Sequence, residues 1–150
     1  MTSPKKQTGG CAYKDFKKMV TSSSIFVDKS LFIKDFIDQA PTATLITRPR
    51  RWGKSINLNM LKYFFRIAVN KKGEVIEQNP DRVLFEGGEI DVDGVKKRLN
   101  PLKIAQDPEW SSTYSKMQGN FAVIHLSLKT VVADTYDAIK GLLKIEIKRC

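Results

Sequence analysis

A chain of 150 residues is one domain's worth, long enough to bury a hydrophobic core. Its 41% hydrophobic and 28% charged residues argue against wholesale disorder, and no apolar run approaches the ~18 residues of a membrane-spanning helix. The formal net charge of +10 suits a polyanionic partner (nucleotide, nucleic acid or membrane surface) without choosing among them.

The opening MTSPKKQTGG is polar and basic and lacks the apolar core of a signal peptide, so residues 1–20 read as a flexible basic segment. The two cysteines, Cys11 and Cys150, fall in the expected tails. With no disulfide framework and no zinc-ligand spacing, they read as free thiols in a reducing, intracellular setting, cytoplasmic or nuclear. The stretch YKDFKKMV predicts a helical turn. In SSSIFVDKSLFIKDFIDQAP, Asp28 or Ser30 is placed to cap a helix. Leu31, Phe32, Phe36 and Ile37 follow at helical spacing, and Pro41 ends the segment. The β-branched run TATLIT, residues 42–47, predicts a buried strand.

A basic turn, Arg48-Pro49-Arg50-Arg51-Trp52-Gly53, leads into a second helix from Lys54 to about Ala68. Ile56, Met60, Leu61, Phe64, Phe65 and Ala68 share one face of it, with Asn57, Asn59, Lys62 and Arg66 opposite. Farther on, NPDRVLF predicts a helix start with Asn79 as cap and Pro80 in the first turn. EGGEIDVDG reads as a turn-rich connector. Its DVDG lacks the further acidic positions of a calcium loop. DPEWSSTYSKMQ predicts a short helix capped by Asp107, and FAVIHLSLK, residues 121–129, a second strand. His125 on that strand reads as structural. A last helix opens near Asp134.

The chemistry concentrates at Gly53-Lys54-Ser55. A phosphate-binding loop needs a strand that delivers the chain, a tight turn that gathers backbone N–H groups, and a helix starting at that point. Lysine then reaches the β- and γ-phosphates, and a Ser or Thr hydroxyl ligates Mg²⁺. Arg48 to Gly53 has the spacing of that loop, but Arg48 stands where the first glycine belongs and Pro49 removes a donor. Residues 1–75 carry 15 Lys and Arg against 5 Asp and Glu, whereas residues 76–150 carry 11 against 11, so the excess charge sits around this turn and in the N-terminal tail. The pattern leaves two readings open: a nucleotide site with an altered loop, or a basic helix cap on the surface.

FVDKSLFIKDFI followed by LITRPRRWGKSINLNMLKYFF resembles the N-terminal region of the predicted AAA-ATPase family. LFEGGEI and FAVIHLSLK resemble segments that follow there. The resemblance implies that Arg48 is the family's habit and that residues 21–150 are the N-terminal portion of an AAA-ATPase-like domain. The implied fold is α/β, an incomplete P-loop NTPase core whose parallel sheet holds residues 42–47 and 122–128, flanked by helices. The implied ligands are ATP and Mg²⁺. Lys54 is the implied catalytic group, Ser55 the metal ligand, and Arg48, Pro49, Arg50, Arg51, Trp52, Gly53, Lys54, Ser55 and Ile56 the cofactor-binding residues.

Trp52 is expected to pack the turn onto the core rather than to stack on a base. Ile56 doubles as a core residue, and Asp28 and Lys29 are candidates for the adenine side. The family's later strand, with carboxylates that hold Mg²⁺ and orient water, has no counterpart here. The expectation is therefore a truncated domain that binds ATP and hydrolyses it poorly alone. Partners implied are a nucleotide and a protein or second copy completing the sheet, with no membrane. The alternatives are a small basic nucleic-acid-binding protein using Arg48, Arg50 and Arg51, or a non-enzymatic remnant acting by association.

Overall fold

A computed structural model describes Tyr13 and residues 15–23 and 26–148. The expectations for residues 1–12 and for Cys11 and Cys150 fall outside these residues, but the expected flexible segment is corrected at its end, where residues 16–20 lie in a helix and Phe16 is buried in the core. The described chain is mainly helical: α1 (Phe16–Ser22), α2 (Leu31–Gln39), α3 (Lys54–Phe65), α4 (Val83–Glu86), α5 (Ser115–Met117) and α6 (Tyr136–Lys148). One antiparallel hairpin, β1 (Gly88–Val92) and β2 (Val95–Leu99), lies between α4 and α5, with Gly88 opposite Leu99 and Val92 opposite Val95.

Each helix starts where local chemistry allows it. Asp15 caps α1 by accepting from the Lys18 N–H at 2.9 Å. Ser30 takes the cap position of α2, and its own N–H is held by the Asp28 carboxylate at 2.8 Å. The second carboxylate oxygen of Asp28 accepts from the Lys103 N–H at 2.7 Å, and the Ser30 hydroxyl accepts from the Ile104 N–H at 3.0 Å. These two residues therefore tie the start of α2 to the 3₁₀ turn Lys103–Gln106. The hairpin turns on Asp93 and Gly94, both at positive φ (54° and 80°), the pair that a tight two-residue hairpin favours. Gly87 admits no side chain: a Cβ there would stand 2.7 Å from the Pro101 nitrogen and 2.8 Å from the Leu99 carbonyl.

The core gathers around three aromatic rings. Phe16 stacks on Phe85 (centroids 5.4 Å apart), and Phe64 meets Phe85 edge-on at 5.3 Å. Ile33, Met60, Leu84, Leu102, Ile104 and Tyr114 complete the buried set among the described residues. Burying each of these larger side chains contributes about 2–3 kcal/mol against exposure. The Tyr114 hydroxyl donates to Asp38 at 3.0 Å. At the end of α3, Arg66 donates through Nε (2.9 Å) and Nη2 (2.6 Å) to one oxygen of the nearly buried Asp81.

The expected α/β fold is overturned. Among the described residues there is one two-stranded antiparallel sheet and no parallel sheet, so this is not a P-loop NTPase core, complete or partial. Residues 42–47 and 122–127 carry the composition of strands but form no ladder. A strand exists only through its hydrogen-bonded neighbour, and neither segment has one. Next to the second segment, Phe121 forms an isolated bridge, exchanging backbone hydrogen bonds with Phe65 and Ile67 at 2.9 Å each. In consequence Leu45 is 86% exposed and Ile124 83%. The segment read as a connector, residues 86–94, instead holds β1 and the hairpin turn, and the partner strand β2 follows it directly.

Candidate functional site

The basic turn and the start of α3 form the site. Two positive φ angles close the turn, Arg51 at 68° and Gly53 at 79°. Glycine takes this conformation freely, whereas arginine takes it at a cost of about 1 kcal/mol. A Cβ on Gly53 would have room, so the backbone angle rather than crowding calls for glycine there.

Gly53 occupies the cap position of α3 and offers no side chain to its first turn. The first backbone hydrogen bond into the helix is from the Asn57 N–H to the Gly53 carbonyl, at 2.9 Å. The N–H groups of Lys54, Ser55 and Ile56 have no acceptor among the described residues. These three donors stand at the positive end of a 12-residue helix.

The Lys54 ammonium folds back over the turn and donates to the carbonyls of Arg48 and Pro49, the latter at 3.1 Å. Arg48, Pro49, Arg50 and Arg51 are exposed, as is Ser55. Trp52 is 58% exposed and stands at the rim of a cavity, which departs from the expectation that it packs the turn onto the core. Ile56 is half-buried against the core and also lines that cavity.

The cavity, of about 460 Å³, opens beside the turn. Phe16, Met60 and Ile56 belong to its lining from the core side, with Met19 and Phe26 from α1 and the segment after it. Arg50, Arg51, Gly53 and Lys29 bring it to the start of α3. The Lys29 ammonium lies 3.9 Å from where a Cβ on Gly53 would stand, and it has no ion-pair partner among the described residues. Of the pair Asp28 and Lys29, then, the lysine reaches the site and the aspartate is occupied by backbone N–H groups. Lys29 carried only a weak signal in the sequence, its place in a Val-Asp-Lys-Ser run ahead of the turn.

The donor set fits an oxyanion better than a metal. Three free amides and the ammonium groups of Lys54 and Lys29 converge on one end of α3, a combination that suits phosphate oxygens. No group of three or more His, Cys, Asp or Glu side chains among the described residues is placed to hold a metal ion. Among the described residues, the cavity lining contains no carboxylate. No helix among the described residues is long and apolar enough to cross a membrane.

What fold and site define together is a small helical structure with a cationic, amide-rich helix start beside an apolar cavity. Residues 10–80 match the family model described as predicted AAA-ATPase, which bears out the resemblance read from the Val27–Ser30 and Arg48–Ser55 motifs. The match ends at Pro80, so residues 84–90 and 121–129 lie beyond it. No curated protein and no solved structure matches the chain.

Proposed function

We propose that the turn at residues 48–55 and the first turn of α3 bind the polyphosphate of a nucleoside triphosphate. The ligand is ATP on the strength of the matched family, carried with Mg²⁺. The observation that carries this reading is the set of three unpaired N–H groups, of Lys54, Ser55 and Ile56, at the start of α3. An unpaired amide is costly when covered by anything but an acceptor, and a phosphate supplies several acceptors at once. The Lys54 ammonium, held by two carbonyls of its own turn, exchanges them for phosphate oxygens, a stronger charge-assisted bond.

Ser55 offers a hydroxyl to Mg²⁺, whose role when bound is to neutralise phosphate charge. The residues of the turn and cavity include no acid to orient water, so the proposed function is binding, without turnover by these residues alone. The test is an amide-resolved NMR titration with MgATP. The reading expects the Lys54, Ser55 and Ile56 amides to move first and furthest. Shifts confined to other regions would overturn it.

Nucleic-acid binding is the second reading, favoured by the +10 charge and the exposed Arg48, Arg50 and Arg51. It predicts a steep salt dependence of binding and shifts spread over the arginines rather than focused on the helix start.

A further inference from the structure

The cavity beside the turn has a chemistry of its own. It holds about 460 Å³, within the ~300–1,000 Å³ of small-molecule sites, and it is continuous with the residues that start α3. Its lining divides by character. Lys29, Arg50 and Arg51 are cationic, with the Lys29 ammonium near Gly53, while Phe16, Phe26, Met19 and Met60 are apolar. Two apolar side chains on its border, Trp52 and Val27, are 58% and 68% exposed, an arrangement that gains when a flat apolar ligand covers them. One neutral polar side chain lines it, that of Asn57, whose amide has no hydrogen-bond partner among the described residues. An amide carries both donor and acceptor and turns to suit either.

We propose that this cavity is a nucleoside subsite that holds the base by apolar burial and aromatic contact and does not read its hydrogen-bonding edge, so that adenine and guanine nucleotides are accepted alike. The proposal rests on the polyphosphate reading above, because only a ligand anchored at the start of α3 presents its base to this cavity. Strong discrimination between bases needs fixed polar partners that the wrong base leaves unpaired. Of the polar side chains in the lining, Lys29, Arg50, Arg51, Trp52 and Asn57, none is held in place by a hydrogen bond to a described residue, so none is a fixed partner, whereas burial and stacking are worth about the same for either purine.

The experiment is calorimetric titration of MgATP, MgGTP and magnesium tripolyphosphate into the wild-type chain and into Trp52→Ala, Phe26→Ala and Lys54→Ala, each checked for folding by circular dichroism. The proposal expects ATP and GTP affinities within about threefold of each other, and both well above that of tripolyphosphate. Trp52→Ala and Phe26→Ala should weaken both nucleotides by about tenfold, and Phe26→Ala should leave tripolyphosphate unchanged. If Phe26→Ala disturbs the fold, the exposed Trp52 position carries the test alone. A preference beyond about tenfold between ATP and GTP, or nucleotide affinities that do not respond to Trp52→Ala, overturns the base-tolerant subsite while Lys54-dependent tripolyphosphate binding still stands. Tripolyphosphate that fails to bind, or binds equally well after Lys54→Ala, overturns the polyphosphate reading and this proposal with it.

Discussion

The ammonium of Lys54 donates to the backbone carbonyl of Pro49 at 3.1 Å and to that of Arg48 beside it. A lysine that begins a helix normally extends into water. Here it bends back and closes the turn on itself. The turn is therefore organised before any ligand arrives, which lowers the ordering cost of binding one.

Lys29 supplies a second positive charge from a different segment, close to Gly53. Replacing it with alanine should weaken MgATP binding by about fivefold and flatten its salt dependence, since one counter-charge to the phosphates is removed. Titrations at two ionic strengths check this. An unchanged affinity at both would show that Lys29 plays no part.

Asp81 is the structural anchor of the α3 end. Its side chain is 4% exposed and accepts both the Nε and Nη2 of Arg66, which also lies over the Tyr63 ring at 4.4 Å. Asp81→Ala should cost about 2–3 kcal/mol in urea unfolding. That is at or below the low end of the range for a broken buried pair, because Arg66 is one-third exposed and can rehydrate.

Gln118 presents the opposite case. It is 2% exposed, and neither atom of its side-chain amide finds a partner among the described residues. Gln118→Leu keeps the volume close and removes the stranded polar atoms, so it should raise stability by about 1 kcal/mol or more in the same unfolding assay.

Tyr63 gives the fold a basic limit. Burial, and then donation of its hydroxyl to Asp15 at 2.9 Å, push its pKa up from 10.0 to about 12. The folded state therefore keeps this proton where the unfolded chain has lost it. The contribution is fully present below pH 10.0 and declines as pH rises toward about 12. Tyr114 is raised too, by burial and by Asp38, and adds to the same decline. The difference between wild type and Tyr63→Phe isolates the Tyr63 share: the variant should lose less stability over this window.

The helix α3 was legible in the sequence because Ile56, Met60 and Phe64 recur at a four-residue spacing, and the structure buries Met60 and Phe64. The cap of α2 was legible as Asp28 or Ser30, and Ser30 holds the position while Asp28 accepts from its N–H; the cap expected at Asp107 did not form, since Glu109 stands before the turn at residues 110–114. Strand pairing was not legible. The β-branched run at residues 42–47 says that the side chains suit a sheet, but a sheet also needs a neighbouring edge, and none meets it among the described residues. The hairpin carried its own signal in Asp93-Gly94, with Ile90 and Val92 before it and Val95 after.

At the site, the turn and helix start could be read from Gly53-Lys54-Ser55. The cavity could not, because its walls come from Phe16, Phe26 and Met60, which are distant in sequence and joined only by packing.

The central claim, that the start of α3 holds a polyphosphate, is tested most directly by titrating MgATP into the wild-type chain and into Lys54→Ala at one fixed salt concentration. The account predicts at least a tenfold loss of affinity in the variant, about the value of one charge-assisted phosphate contact. An affinity equal to that of the wild type would contradict it.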